Sequence, residues 1–173
     1  MPLSRKARYF WPFALVLFLS DCTSKSLIVD AFGTESAPHP VLDSFLRFTL
    51  RYNPDMAYSF DVHRWFGANA RWVLVAMMLS LVVVFFRMYR NANLQSRVAG
   101  IAFGLACGGA LGNLFDRLRF PAGVVDFIDV GIGTHRFYIF NVADAGITIG
   151  AILFAIMMWR TQEAAIAPSV GEC

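Results

Sequence analysis

Four runs of this chain are apolar over about the twenty residues a helix needs to cross a bilayer's hydrocarbon core, and nothing else in the sequence restricts the fold so severely. They lie near 10–29, 71–86, 98–115 and 140–159. The second is short, but Trp65, Phe66 and Trp72 stand before it as an interfacial anchor. Of 173 residues, 57% are hydrophobic and only 16% charged, with a mean hydropathy of +0.54, so no stretch is left for a soluble domain. The expectation is one integral membrane domain over 1–173, mainly α, with four transmembrane helices and outer loops near 30–70 and 116–139.

The formal charge of +3 does not point to nucleic acid, because the basic residues sit in short clusters beside the apolar runs, where they set topology. Arg5, Lys6 and Arg8 precede the first run, Arg87, Arg90 and Arg97 flank the turn between the second and third, and Arg160 follows the fourth. By the positive-inside rule both termini are cytoplasmic and the two longer loops face outward. Leu19-Ser20-Asp21-Cys22 mimics a lipoprotein cleavage box, but Asp21 fills a place that needs a small neutral residue, and three more spans follow. Three cysteines, two of them inside apolar runs, indicate no disulfide framework.

The outer loops read as a small β-element. Bulky apolar residues recur at period two in 48–52 and 56–60, with Asn53-Pro54-Asp55 as turn chemistry between them, which predicts a hairpin. Val124–Ile128 is a further strand candidate, ended by Gly131 and Gly133.

Charged groups in or beside spans are costly, at least about 2.5–3.5 kcal/mol near the bilayer centre, so three aspartates stand out. Asp116 ends the third span and Asp144 opens the fourth, which puts both at the outer surface. Asp21 lies in the first span with Lys25 one turn on, where an ion pair that lowers the insertion cost explains them as well as substrate contact does. Gly100, Gly104, Gly108 and Gly112 leave one face of the third span bare, and Asp116 is next on that row. Ala143, Gly146 and Gly150 give the fourth span a comparable face, and close approach of the two would bring Asp116 toward Asp144.

Two facing carboxyls can share one proton and divide the roles of acid and base in peptide hydrolysis, although a proton relay in a carrier uses the same groups. Helix-end charges would place the shared proton on Asp116 and make Asp144 the base. Asp126, in a loop strand, is assigned no proton transfer.

These motifs resemble the lipoprotein signal peptidases, also called signal peptidase II. Gly108 to Arg117 is similar to that family's third-span block, Phe140 to Asp144 to its fourth, Asp21 to Lys25 to its first-span motif, and Val124 to Phe127 to its intervening loop motif. The resemblance implies an aspartic endopeptidase that cuts diacylglyceryl-modified prolipoproteins before the lipidated cysteine, with Asp116 and Asp144 as the dyad and neither metal nor cofactor. It also implies that Asn53 and Arg117 position the substrate backbone and that Asn113 and Asn141 hold the dyad, although each asparagine is also open to reading as a helix-end cap, which for Asn141 explains it equally well. The implied partners are the precursor and membrane lipid, and the implied place is a bacterial inner membrane. One block departs: where the family has Asn-x-Gly, this chain has Asn53-Pro54-Asp55. That keeps open a member that binds precursors without cutting them.

Overall fold

A computed structural model describes residues 5–34, 36–54, 62–91 and 96–166. Its elements in chain order are helix α1 (Arg5–Phe32), strands β1 (His39–Leu42) and β2 (Leu46–Asn53), a single turn α2 (His63–Phe66), helices α3 (Ala70–Asn91) and α4 (Arg97–Arg119), strands β3 (Val124–Ile132) and β4 (His135–Arg136), and helix α5 (Val142–Ile166). The fold is thus mainly helical, and α1, α3, α4 and α5 are long and apolar enough to cross a membrane. The second span is longer than its apolar run implies, since α3 continues past 86 to Asn91.

Helix α4 is the central one. Its interior row of Ala and Gly is buried along almost its whole length, while α1, α3 and α5 keep most of their surface outward. Small residues let neighbouring backbones approach closely, as van der Waals packing in lipid requires. A methyl group at Gly104 would stand 2.6 Å from the Phe10 carbonyl oxygen and one at Gly108 2.5 Å from that of Ala14, so this row faces α1. Gly109 is the close contact on the α5 side, at 2.5 Å from the Ala143 carbonyl oxygen, and Gly150 of α5 returns it at 2.7 Å from that of Ala102. The helix thus presents two bare faces, one to each neighbour. Away from the sheet, Phe10 stacks on Tyr89 with ring centres 4.2 Å apart, against Phe103 and Cys107.

The strands form one antiparallel sheet in the order β1-β2-β3-β4. Leu50, Val125 and Phe127 turn inward onto Ile28 of α1, which fixes the sheet against the ends of the helices. Strand β2 pairs with β1 and β3, and 56–60, the partner expected for it in a hairpin, lies outside the described residues. Strand β3 begins where expected but runs on through Gly131, because β4 and the Phe45 carbonyl supply hydrogen bonds there.

Candidate active site

The polar side chains singled out in the sequence converge where the sheet meets α1, α4 and α5. Lys25 of α1 is the hub. Its ammonium lies 2.7 Å from Asp21 Oδ2 and 2.9 Å from Asp116 Oδ2, and it donates to Asn113 Oδ1 at 2.9 Å. Lys25, Asp21, Asn113 and Asp116 are all buried. Burying charges is tolerable only when opposite charges and hydrogen bonds replace water, and this cluster provides both. Asp21 also accepts from the Ala143 N–H at 2.9 Å, one of the free donors in the first turn of α5. A residue of the first span thereby caps the fourth, and through Lys25 it is joined to Asn113 and Asp116 of the third.

Asn141 stands just before α5 and serves two purposes. Its side-chain oxygen accepts from the Asp144 N–H at 2.9 Å and its own N–H donates to Asp144 Oδ2 at 3.2 Å, a reciprocal capping box. Its amide nitrogen is directed at Asp126 Oδ1, 2.6 Å away, with Asn113 Oδ1 and the Val125 carbonyl as further acceptors at 3.1 and 3.2 Å. Asn113 completes the frame by donating to Asp144 Oδ1 at 2.8 Å. The two asparagines are therefore both caps and braces.

Asp126 was not expected here. It reaches the site on β3, buried, with Asn53 donating to its second oxygen at 3.0 Å. Burial first, and then the charge of nearby Asp144, push its carboxyl up to about 7 against the hydrogen bonds from Asn53 and Asn141. It also lines an open groove of about 570 Å³ along the sheet. Arg117 donates to the Pro54 carbonyl at 3.2 Å, beside Asn53, and its own carbonyl accepts from Arg71 of α3 at 2.8 Å.

The expected approach of Asp116 to Asp144 is not what the helices produce. One Asp116 oxygen is held by Lys25 and by the Val125 N–H at 3.1 Å, and Asp116 is linked to Asp144 through Lys25 and Asn113. The reason is the direction of the glycine row. Because Gly104 and Gly108 face α1, with a Cβ at Gly112 meeting the Asp21 side chain, the row carries Asp116 to Asp21 and Lys25. Gly146 likewise meets Leu17 of α1 instead of α4. The signal available in the sequence for Asp126 was a carboxylate in a strand whose neighbouring residues are apolar.

Comparison with known proteins gives a consistent result. Residues 13–160 match the family model described as signal peptidase (SPase) II. The chain is 34% identical to a lipoprotein signal peptidase of Serratia proteamaculans, covering 95% of this chain and 94% of that one. It is 39% identical to one of Photorhabdus laumondii over 86% of each chain, and 33% identical to one of Geobacillus kaustophilus over 87% and 92%. Among solved structures, a bacterial membrane enzyme determined by the in meso method at 2.3 Å superposes with a TM-score of 0.73 at 25% identity, covering 93% of this chain and 92% of that chain.

Proposed function

The chain belongs to the signal peptidase II family and removes signal peptides from prolipoproteins, and we propose that it does so with a water activated by Asp126 and Asp144. The observation that carries this pairing is Asn141, whose backbone N–H holds Asp144 while its side-chain amide holds Asp126. Asp116, which the sequence offered as the partner, is a salt-bridged carboxylate with a structural duty toward Lys25.

Two carboxyls in each other's field divide acid and base duties. With Asp126 raised to about 7, it carries the shared proton in the resting enzyme and Asp144 acts as base. Water attacks the scissile carbonyl carbon as Asp144 takes its proton, and Asp126 donates to the carbonyl oxygen. Collapse of the tetrahedral intermediate breaks the C–N bond. The leaving amine takes the proton from Asp144, and the oxygen returns its proton to Asp126. Asn113 and Asn141 fix the orientation of the pair, while Asn53 and Arg117 hold the loop edge on which the substrate backbone rests.

The substrate in this reading is a diacylglyceryl-modified precursor cut before its lipid-bearing cysteine. The enzyme is a multi-pass protein of a bacterial membrane; both termini are cytoplasmic and the dyad is extracytoplasmic. That orientation is supported by Arg87, Arg90, Arg97 and Arg160, which lie at the helix ends opposite the sheet. The test is to incubate the purified protein with a diacylated precursor and look for the freed signal peptide. A proton-relay carrier would cut nothing but pass ions across vesicles, and a precursor-binding protein would retain the substrate whole.

A further inference from the structure

The groove that begins at Asp126 continues along the sheet to a second polar cluster. Strand β2 turns Phe48 and Leu50 to the core and Arg47, Thr49, Arg51 and Asn53 to the groove, while Tyr52 packs against the core and also lines the groove. A register irregularity between Phe48 and Arg51 gives β2 an extra residue opposite β3, so Asp126 and Asp129 both line it although they are three apart. Three strand residues span roughly 10 Å.

Asp129 is buried and held from three strand positions. Arg47 donates to its Oδ2 through Nε at 3.0 Å and Nη2 at 2.8 Å, and Thr49 adds its hydroxyl at 3.1 Å. Arg136 donates to Oδ1 through Nε at 2.9 Å and to the Asp129 carbonyl through Nη2 at 2.8 Å, and its Nη1 reaches the Ser44 carbonyl at 2.7 Å. Burial works to raise the Asp129 carboxyl, but these hydrogen bonds outweigh it and hold the group below the usual carboxylate range. Two guanidinium charges therefore face one carboxylate charge. Among the described residues Arg47 Nη1 has no partner, and its side chain is 26% exposed. The cluster presents a net positive charge to the groove on rigid, oriented donors.

Resting on the peptidase reading above, we propose that this groove takes the first residues of the substrate's mature segment and that Arg47 and Arg136 favour an acidic side chain about three residues beyond the lipid-bearing cysteine. The signal-peptide side of the cut is apolar and belongs in the bilayer. The mature side must leave toward water, and the groove continuous with Asp126, which sets Arg47, Thr49, Asp129 and Arg136 beside the apolar Phe137 and Ile139, is the path open to it. An extended chain whose scissile bond sits at Asp126 places its third residue beyond the cysteine over Asp129.

The experiment compares two diacylated precursors that differ only by Asp or Lys at that position. The Asp form should have a kcat/KM about fivefold higher at low ionic strength, the size of effect a partly exposed ion pair gives, and the ratio should shrink toward one as salt rises. Arg47→Gln should lower the ratio, and Asp129→Asn, which removes the opposing carboxylate, should raise it. Cleavage of both forms at equal kcat/KM in low salt would overturn the proposal, as would a ratio indifferent to salt. Failure to cleave either form would instead strike at the peptidase reading itself.

Discussion

At the scale of single residues, Asp126 and Asp116 differ in what already holds their oxygens. Asp116 lies against a full positive charge at 2.9 Å, whereas Asp126 meets two neutral amides and the field of Asp144. Asp126→Asn and Asp144→Asn should each lower kcat by at least about 100-fold, the ordinary worth of a positioned proton-transfer group, in a precursor-cleavage assay. Asp116→Asn should leave measurable turnover and reduce thermal stability, because it removes one of the two carboxylates that neutralise the buried Lys25 ammonium. Complete loss in Asp116→Asn with full stability would return that residue to the dyad. The raised carboxyl also sets a pH dependence. In the acid role proposed for it Asp126 must be protonated, so activity should fall as pH rises through about 7, with the apparent value belonging to the coupled pair. For stability the folded-state value lies above the unfolded one, so the contribution of Asp126 is fully present below 3.8 and is lost as pH rises through about 7. Asp126→Asn should therefore unfold later than the parent at pH 8, by a few degrees, with the gain vanishing near pH 4.

At the scale of elements, the spans were legible because hydrocarbon demands length and apolarity in one continuous run. Asn113, Asn141 and Asp144 were legible as a group because they sit at the ends of those spans. What the glycine row could not disclose was which neighbour fills it, since a bare helix face has no intrinsic partner. Gly109, one residue off the row, is the position that faces α5, and that single offset redirects Asp116 from Asp144 to Lys25. Asp126 escaped for a different reason. Its arrival depends on β2 and β3 pairing across more than seventy residues of chain, and strand pairing is not written locally. The packing itself predicts a cost. Gly108→Ala puts a methyl 2.5 Å from a backbone oxygen of α1, where no side chain can yield. Overpacking of this kind costs about 1–3 kcal/mol. Thermal unfolding in detergent should show it, and activity should fall in parallel as α1 carries Asp21 and Lys25 away from the site.

At the scale of the whole molecule, the site stands at a boundary: helices built for hydrocarbon on one side, a sheet with an open groove on the other, and the carboxyls where the two meet. A substrate must therefore present its peptide bond at that depth and hold it there. An apolar signal helix alone positions the bond loosely along the membrane normal, since a helix can slide and tilt at small cost. On the substrate proposed above, a diacylglyceryl group on the cysteine fixes it. Each buried methylene contributes about 0.8 kcal/mol, so two chains hold the cysteine at the interface far more firmly than any single contact in the groove. Depth is thus set by the lipid before the enzyme binds, and the encounter reduces to lateral diffusion in two dimensions. An unlipidated precursor of the same sequence should have a kcat/KM lower by at least about tenfold, because near-attack geometry is lost for most of its bound states. The loss should persist when the bilayer concentration of precursor is matched in proteoliposomes, which separates positioning from simple recruitment. Equal turnover of the two forms under matched conditions would mean that the dyad reads the peptide alone and that its placement at the boundary has no part in selection.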